Sequence, residues 1–370
     1  MKPTALLIAL LAWIPSTVAQ AQEADAGVDL RATLSGQFAA SSVFTQPSVA
    51  EAPASAGFRG VFYPTVKFSD RWAITAAWQL YTRPYFFESF SETDRGASGN
   101  ILQASLNYSR VSTKGSLLVR VGELSTAFGS FLLRYDDADN PLANVPLPYG
   151  YYSLSYGSSY YAAVSSLAVA GAQIDATRGK FDGRAQFANS SPANPRSIFD
   201  HDQYGNWAGG GGYTIRQGLR IGVSGYRGPY LDRQSPFFRP GEANPSRLPA
   251  HALGVDSEWG HGHWNIQGEF QRFVLPYTTM PTIREDAGYI EARRTLGPRW
   301  YAAARTGYSS ANQSGNTERF EFATGFRPNR FQLLKADYEL DHRSSGTPTN
   351  DNTFFLQYVT TFHLSHASPH

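Results

Sequence analysis

Most of the chain consists of short segments in which apolar and polar side chains alternate at every second residue. In the segment 102–108 the two sets interleave, because Leu102, Ala104, Leu106 and Tyr108 alternate with Gln103, Ser105 and Asn107. Successive side chains of a strand point to opposite faces, so one face of such a strand suits apolar surroundings and the other suits water. The pattern recurs at 30–38, 72–80, 181–187, 219–225, 264–271, 319–327, 334–340 and 354–364. It predicts an all-β chain.

The connections between these segments alternate between short turns and longer links. The short turns consist mostly of turn-forming residues and lie at 69–71, 112–115, 177–180, 216–218, 260–262, 296–299 and 327–330. The longer links lie near 46–54, 85–98, 124–158, 190–203, 228–249, 276–282, 310–316 and 342–351. Together they join about 16 strands and place both chain ends on the side of the short turns.

This arrangement predicts a transmembrane, antiparallel, up-and-down β-barrel with a long third loop. An even number of strands, short periplasmic turns and longer external loops are typical of bacterial outer-membrane barrels. A soluble β-sandwich would show the same alternation within its strands, and the alternation of link lengths favours the barrel. The segments 161–176 and 204–216 alternate least clearly, so 14 or 18 strands remain alternatives.

The beginning of the chain has the pattern of an export signal. Lys2 precedes the apolar run 5–14, and the small residues Ala19 and Ala21 form a cleavage site. We therefore predict a signal peptide at 1–21 and one outer-membrane domain at 22–370, because no linker divides the remainder. The ten-residue apolar run is too short to span a bilayer as a helix, which needs about 20 residues. The chain has no cysteine, so its fold cannot depend on disulfides.

The last predicted strand, 352–364, is expected to pair with the first strand and so to leave no free edge. Its outward side chains are apolar or aromatic: Phe354, Leu356, Tyr358, Phe362 and Leu364. They resemble the aromatic terminal strand by which barrel-assembly machinery recognises its clients, although here a tail at 365–370 follows. The expected partners are this machinery, outer-membrane lipid and lipopolysaccharide.

The third long link, 124–158, is the longest and carries the most informative charges. Asp136, Asp137 and Asp139 lie within it, and Arg134 precedes them. Folded into the barrel, this link would place its acids opposite basic side chains of the wall and narrow the pore. The alternative is a solvated turn cluster on an external loop.

A short motif precedes this link. Arg120, Gly122 and Glu123 are followed by Phe128 and Gly129. This segment resembles the R-x-G-x-x-x-x-x-F-G motif of porins similar to the phosphate-selective porins O and P, and the motif match covers only residues 119–142. The resemblance implies a passive channel for small polar solutes or ions, including anions such as phosphate, with Arg120, Glu123, Arg134 and the three acids at the constriction. A homotrimer is one alternative for the assembly. The basic phosphate ladder of that family has no residue-by-residue match here.

Arginine supplies most of the positive charge, and alternation points many arginines inward. The predicted pore wall contains Arg31, Arg184, Arg220, Arg293, Arg305, Arg319, Arg327 and Lys335. A guanidinium group stays charged and binds phosphate or carboxylate through two parallel hydrogen bonds, so such a wall could favour anions. Inward acids are almost as numerous, and a belt of structural ion pairs with weak selectivity is the alternative. The formal net charge of +2 predicts no strong overall field.

Motifs of other function classes are weak in this sequence. His261 and His263 flank a predicted tight turn without a third metal ligand nearby. No G-x-S-x-G, H-E-x-x-H or phosphate-binding loop motif is present. We therefore expect a channel that is not an enzyme, with no cofactor and no nucleic-acid partner. The alternatives are a structural or adhesive barrel with a blocked lumen and, less favoured, a barrel lipase or deacylase.

The predicted topology can be tested on intact cells. External protease should cut in long links such as 228–249 and should spare the turns at 112–115 and 296–299, because those turns face the periplasm. The cleavage sites can be mapped by mass spectrometry. External cleavage at either turn would invert the predicted orientation.

Overall fold

The computed structural model describes residues 27–41, 54–83, 96–131, 136–149, 169–189, 205–229, 247–277, 281–312, 315–344 and 349–367. It contains sixteen strands: β1 Gly27–Ser41, β2 Ala54–Lys67, β3 Trp72–Arg83, β4 Gly96–Ser112, β5 Gly115–Leu124, β6 Val169–Arg178, β7 Phe181–Ala188, β8 Asn206–Arg216, β9 Leu219–Gly228, β10 Ala250–His261, β11 Trp264–Leu275, β12 Ile283–Thr295, β13 Trp300–Ala311, β14 Gly315–Phe326, β15 Gln332–Arg343 and β16 Thr349–Ala367. A short 3-10 helix at Leu147–Tyr149 lies between β5 and β6. The predicted signal peptide, 1–21, lies outside the described residues.

The strands form one closed antiparallel barrel. Each strand pairs with the next in sequence, and β16 pairs with β1 from Gly27 opposite Ala367 to Ser41 opposite Thr353. The predicted up-and-down barrel of 16 strands is therefore confirmed. Both less regular segments contain a strand, β6 and β8, so the alternatives of 14 and 18 strands are wrong.

The two faces of the wall differ in polarity. Phe320 and Phe322 of β14 are exposed on the outside, whereas Glu321 between them is only 1% exposed inside the barrel. Large apolar side chains cover the outer face of the other strands in the same way, including Leu106, Trp78, Ile290, Tyr338 and Leu356. Such an apolar exterior fits lipid and not water. Within the described residues, no helix is long and apolar enough to cross a membrane.

Most connections agree with the predicted alternation of lengths. Short turns join β2 to β3, β4 to β5, β6 to β7, β8 to β9, β10 to β11, β12 to β13 and β14 to β15. The link predicted at 310–316 is much shorter, because β13 extends to Ala311 and β14 begins at Gly315. Both strands continue their ladder to the pair Ala311 and Gly315, which tightens this connection.

One outward residue predicted from the alternation lies inside the barrel. The register of β3 and β4 shifts between Ala77 and Trp78, where a β-bulge interrupts the ladder. A bulge adds a residue to one strand and changes the side to which the following side chains point. Leu102 therefore packs with Val61 and Ala77 in the interior.

The assignment of outward and inward faces predicts that a charge introduced on β4 lowers stability by different amounts on the two faces. Leu106 is exposed on the outer face, whereas Gln103 lines an interior cavity. Leu106→Arg should destabilise folding into lipid vesicles by about 2–4 kcal/mol near the bilayer midplane, and Gln103→Arg should cost much less because its charge stays hydrated. Urea titration of vesicle-folded protein measures both. Equal losses of stability would contradict the assignment.

Candidate functional site

The described parts of the third loop, residues 125–131 and 136–149 of the link between β5 and β6, lie inside the barrel. The first part lies against strands β7, β9 and β11. The Ala127 amide donates to Oε1 of Gln186 (3.0 Å), the Gly129 amide to the hydroxyl of Ser224 (3.2 Å), and the Ser130 hydroxyl to Oε2 of Glu269 (2.8 Å). This described segment lies inside the barrel as the sequence predicted, and the role of the loop as a pore constriction stays a prediction.

The loop then reaches the opposite wall, formed by β1 and β2. Oδ2 of Asp136 accepts hydrogen bonds from the hydroxyls of Thr33 (3.0 Å) and Tyr63 (2.5 Å). The carboxylate of Asp137 accepts from Ser35 (2.6 Å) and from the guanidinium of Arg59 (3.2 Å). Because β1 lies across the barrel from β9, the two described segments of the loop contact opposite sides of the lumen.

A third group of contacts holds the loop against β13 and β15. Nζ of Lys335 donates to the carbonyl oxygens of Asp137 (2.7 Å) and Leu142 (3.1 Å). Arg305 donates to the carbonyl oxygen of Asn144 (2.8 Å), and Asn144 donates to Glu339 (2.8 Å). These side chains satisfy polar backbone groups that the loop would otherwise bury unpaired.

Apolar packing adds to these polar anchors. Phe128 and Phe131 are fully buried, and Phe128 meets Phe273 of β11 edge to face, with ring centroids 5.8 Å apart. Leu142 packs with Tyr301 and Val359 on the β13–β16 side. The loop is thus held by a small core of its own inside an otherwise polar lumen.

The turn at Gly129 explains part of the sequence motif. Gly129 has a φ of 78°, and a Cβ atom there would lie 2.1 Å from the Tyr149 hydroxyl. Only glycine fits this close approach in the left-handed region without strain. The carbonyl of Gly129 accepts a hydrogen bond from Arg184 of the wall. The Phe-Gly pair therefore turns the loop inward, whereas Arg120 at the other end of the motif belongs to the wall.

Tyr149 joins the two ends of the described loop. Its hydroxyl accepts from the Ser130 amide (3.0 Å) and from Gln271 (2.9 Å), and it donates to Glu269 (2.7 Å). Burial, reinforced by the Glu269 carboxylate, holds the pKa of Tyr149 well above its usual value. The hydroxyl therefore stays protonated and keeps its role as a donor.

A cavity of about 260 Å³ remains between the loop and the wall of β1–β7. Its charged lining consists of Arg31, Arg120, Arg184, Asp136 and Asp139. Arg31 is 53% exposed and lies 4.0 Å from Asp136, and Arg120 pairs at 2.7 Å with Asp175. Three guanidinium groups thus surround open space that the loop acids border from the other side. We call this space the eyelet.

Two further polar cavities adjoin the eyelet. One of about 290 Å³ is lined by Arg184, Arg220, Asp182 and Asp256, and so shares Arg184 with the eyelet. The other, of about 500 Å³, reaches the turn between β10 and β11 and shares Asp139 with the eyelet. These shared side chains connect the eyelet to open space toward the short-turn end of the barrel.

Several predicted wall residues do not face water. Arg305 is buried between Glu291 and Glu321, with nitrogen–oxygen distances of 3.1 and 2.6 Å. Arg319 is buried between Glu339 and Asp341, and Lys335 is buried beneath the loop. Their prediction as hydrated pore wall is therefore wrong. They point inward as expected, but they form ion pairs or hold the loop.

Three further predicted wall residues, Arg220, Arg293 and Arg327, have different kinds of partner. Arg220 bridges Asp182 and Asp256, each at 2.6 Å, which is the ion-pair belt that was the alternative to an open basic wall. Arg293 stacks on the ring of Tyr301 (4.8 Å), and Arg327 donates to the carbonyl oxygen of Ala138 (3.2 Å).

Two predicted constriction residues lie elsewhere. Glu123 is two residues from Val121, which is exposed on the outer face, so alternation places Glu123 on that face and away from Arg120. Its prediction as a constriction residue is therefore wrong. Arg134 lies outside the described residues.

No family model matches this sequence, and no curated protein matches it. Solved structures of several outer-membrane proteins do match. The anion-selective porin from Comamonas acidovorans is 9% identical with a TM-score of 0.62, over 91% of this chain and 100% of that chain. The trimer form of OmpT of Vibrio cholerae is 12% identical with a TM-score of 0.56, over 91% and 100%. The outer membrane channel DcaP of Acinetobacter baumannii is 10% identical with a TM-score of 0.59, over 92% and 99%.

The chain shares the fold of outer-membrane porins. The match spans nearly the full length of both proteins in each case, so it concerns the whole barrel and not one group of strands. Membership of the phosphate-selective family, which the Arg120 to Gly129 motif suggested, stays a prediction.

The sequence analysis missed several residues that hold the loop. Arg59 is 1% exposed and contacts both Gln79 and Asp137. The sequence did indicate the position of Arg59, because Phe58, Gly60 and Phe62 alternate with it along β2 and so place it inside the barrel. Alternation also places Glu269 inside the barrel, but nothing in the sequence indicated its contact with Tyr149, because the two residues lie 120 positions apart.

The Tyr149 hydroxyl should be needed for an ordered loop. Tyr149→Phe removes one buried hydrogen-bond partner of Glu269 and one of the Ser130 and Phe131 amides, which should destabilise the local structure by about 1–3 kcal/mol. Hydrogen–deuterium exchange should therefore speed up at Ser130 and Phe131, while the barrel strands stay protected. Tyr308→Phe on the outer face is the matched control and should leave exchange in the loop unchanged. Unaltered exchange in Tyr149→Phe would show that the hydroxyl does not hold the loop.

Proposed function

We propose that this protein is an outer-membrane porin, a passive channel for small polar solutes and ions rather than an enzyme. The observation that carries the proposal is the eyelet: an open space inside a closed barrel, bordered by Arg31, Arg120 and Arg184 and by acids of an inward-folded loop. A fixed loop that narrows the lumen without filling it is the arrangement that a size-selective pore requires.

The charges around the eyelet support a preference for anions. Arg184 donates to a carbonyl group, and Arg31 is half exposed at 4.0 Å from its acid, so neither charge is closely neutralised within the described residues. Asp136 is occupied by Thr33 and Tyr63. Arginine binds phosphate and carboxylate through paired hydrogen bonds, so such anions are the proposed solutes.

The cellular setting forms part of the same proposal. The apolar exterior fits a bilayer, and the predicted signal peptide at 1–21 provides export to the outer membrane. Insertion by barrel-assembly machinery agrees with the aromatic outer face of β16. A homotrimer is the proposed assembly, and OmpT of Vibrio cholerae, which has the same fold, is known in a trimer form.

Ion selectivity tests the function. Arg31→Gln and Arg120→Gln should each shift the reversal potential in a salt gradient toward cations, because each removes a positive charge from the eyelet. Asp139→Asn should shift it toward anions. The control is Arg294→Gln, which removes a charge from the outer face near the periplasmic turns and should change nothing.

The measurement uses purified protein in planar bilayers, with heat-modifiable gel migration to show that each variant is folded. Absence of ion conductance in the folded parent protein would favour a structural barrel with a blocked lumen. Selectivity that is the same in all variants would place the conduction path away from the eyelet.

A further inference from the structure

Four basic side chains lie on the outer surface of neighbouring strands near their loop ends: Arg227 of β9, His251 of β10, Arg272 of β11 and Arg284 of β12. All four are exposed. His251 lies directly opposite Arg227 in one ladder and opposite Val274 in the next, and Val274 lies opposite Arg284. We call this group the basic rim. It spans three strand spacings, about 14 Å across the sheet.

The basic rim has more positive than negative charge. Arg272 pairs with Asp286 through two hydrogen bonds of 2.6 and 2.8 Å. Arg227 and Arg284 have no carboxylate partner in the described part of the chain. Two guanidinium groups are therefore available to an anion from outside the barrel.

An apolar groove of about 700 Å³ lies directly below the basic rim, toward the periplasm. Val223, Val255 and Phe270 are opposite one another in the ladders of β9, β10 and β11, one row below Leu253 and Arg272. Gly211 and Gly268 lack side chains and so deepen the groove. Exposed Ile290 borders it on β12. The basic rim thus adjoins a long apolar groove.

The loop ends of the other described strands differ from the basic rim in the charge of their outward side chains. Among the other strand residues whose side chains are described, the outward positions at the loop end include the acids Glu123 and Glu318 but no arginine or lysine. The positive charge is therefore concentrated on β9–β12, beside the groove.

We infer that the basic rim and the groove together bind a phosphate-bearing lipid of the outer leaflet. The phosphate groups would contact Arg227 and Arg284, and the acyl chains would lie over Val223, Val255 and Phe270. Charge complementarity selects the occupant, because arginine pairs strongly with phosphate and the rim lies where the strands leave the membrane. A purely apolar protein partner would leave these guanidinium groups buried without a counter-charge.

The test measures lipid binding to the purified, folded protein by native mass spectrometry. The probes are bisphosphorylated lipid A, the same lipid without its phosphates, and inorganic phosphate. The parent should bind the phosphorylated lipid more tightly than the dephosphorylated one. Arg227→Gln with Arg284→Gln should weaken binding of the phosphorylated lipid about tenfold or more. Inorganic phosphate alone should not bind detectably at the same concentration.

The control is Arg110→Gln with Arg294→Gln, which makes the same change in charge near the periplasmic turns and should bind like the parent. The inference is overturned if both lipids bind equally or if inorganic phosphate binds as well as the lipid. It is likewise overturned if the variant with Arg227→Gln and Arg284→Gln binds the phosphorylated lipid as tightly as the parent and the control variant do. It is also overturned if chemical crosslinking shows the basic rim covered by a second copy of the chain. Channel conductance does not enter the test, so its outcome is separate from that of the proposed function.

Discussion

The pairing of β16 with β1 is the constraint on which the rest of the structure depends. In a bilayer, an unpaired backbone amide or carbonyl finds no water, so a sheet can cross only when its edges are joined. The ladder from Gly27 and Ala367 to Ser41 and Thr353 makes that join. Once the sheet is closed, its apolar outer face suits lipid, and the other face encloses an interior that tolerates charge.

The third loop uses that interior as a polar scaffold. Lys335 and Arg305 bind its carbonyl groups, while Ser35 and Thr33 bind its acids. Buried ion pairs contribute little net stability, because desolvation of the charges offsets their attraction. Their directional hydrogen bonds specify one loop position, and removal of a single partner leaves a buried charge unpaired. This explains why so many charged side chains of β13–β15 are sealed instead of facing water.

The interior is consequently asymmetric. On the β13–β16 side, the loop packs through Leu142 against Tyr301 and Val359. On the β1–β7 side, Arg31, Arg120 and Arg184 border the eyelet. The outer surface has its own asymmetry, because the basic rim is confined to β9–β12. The backbone thus forms one regular barrel, and the side chains alone give its strands different charge and polarity.

The sequence by itself determined the barrel, because side-chain alternation and link length are local properties that each segment carries independently. It determined which side most residues face, as for Glu321 and Phe322, and it failed at Leu102 because a bulge depends on the neighbouring strand. Only the tertiary structure decided that Arg31 faces the eyelet while Arg305 and Lys335 are buried. All three point inward, and what separates them is the path of the loop. That path is fixed by contacts such as Tyr149 with Glu269, which join distant positions and leave no periodic trace in the sequence.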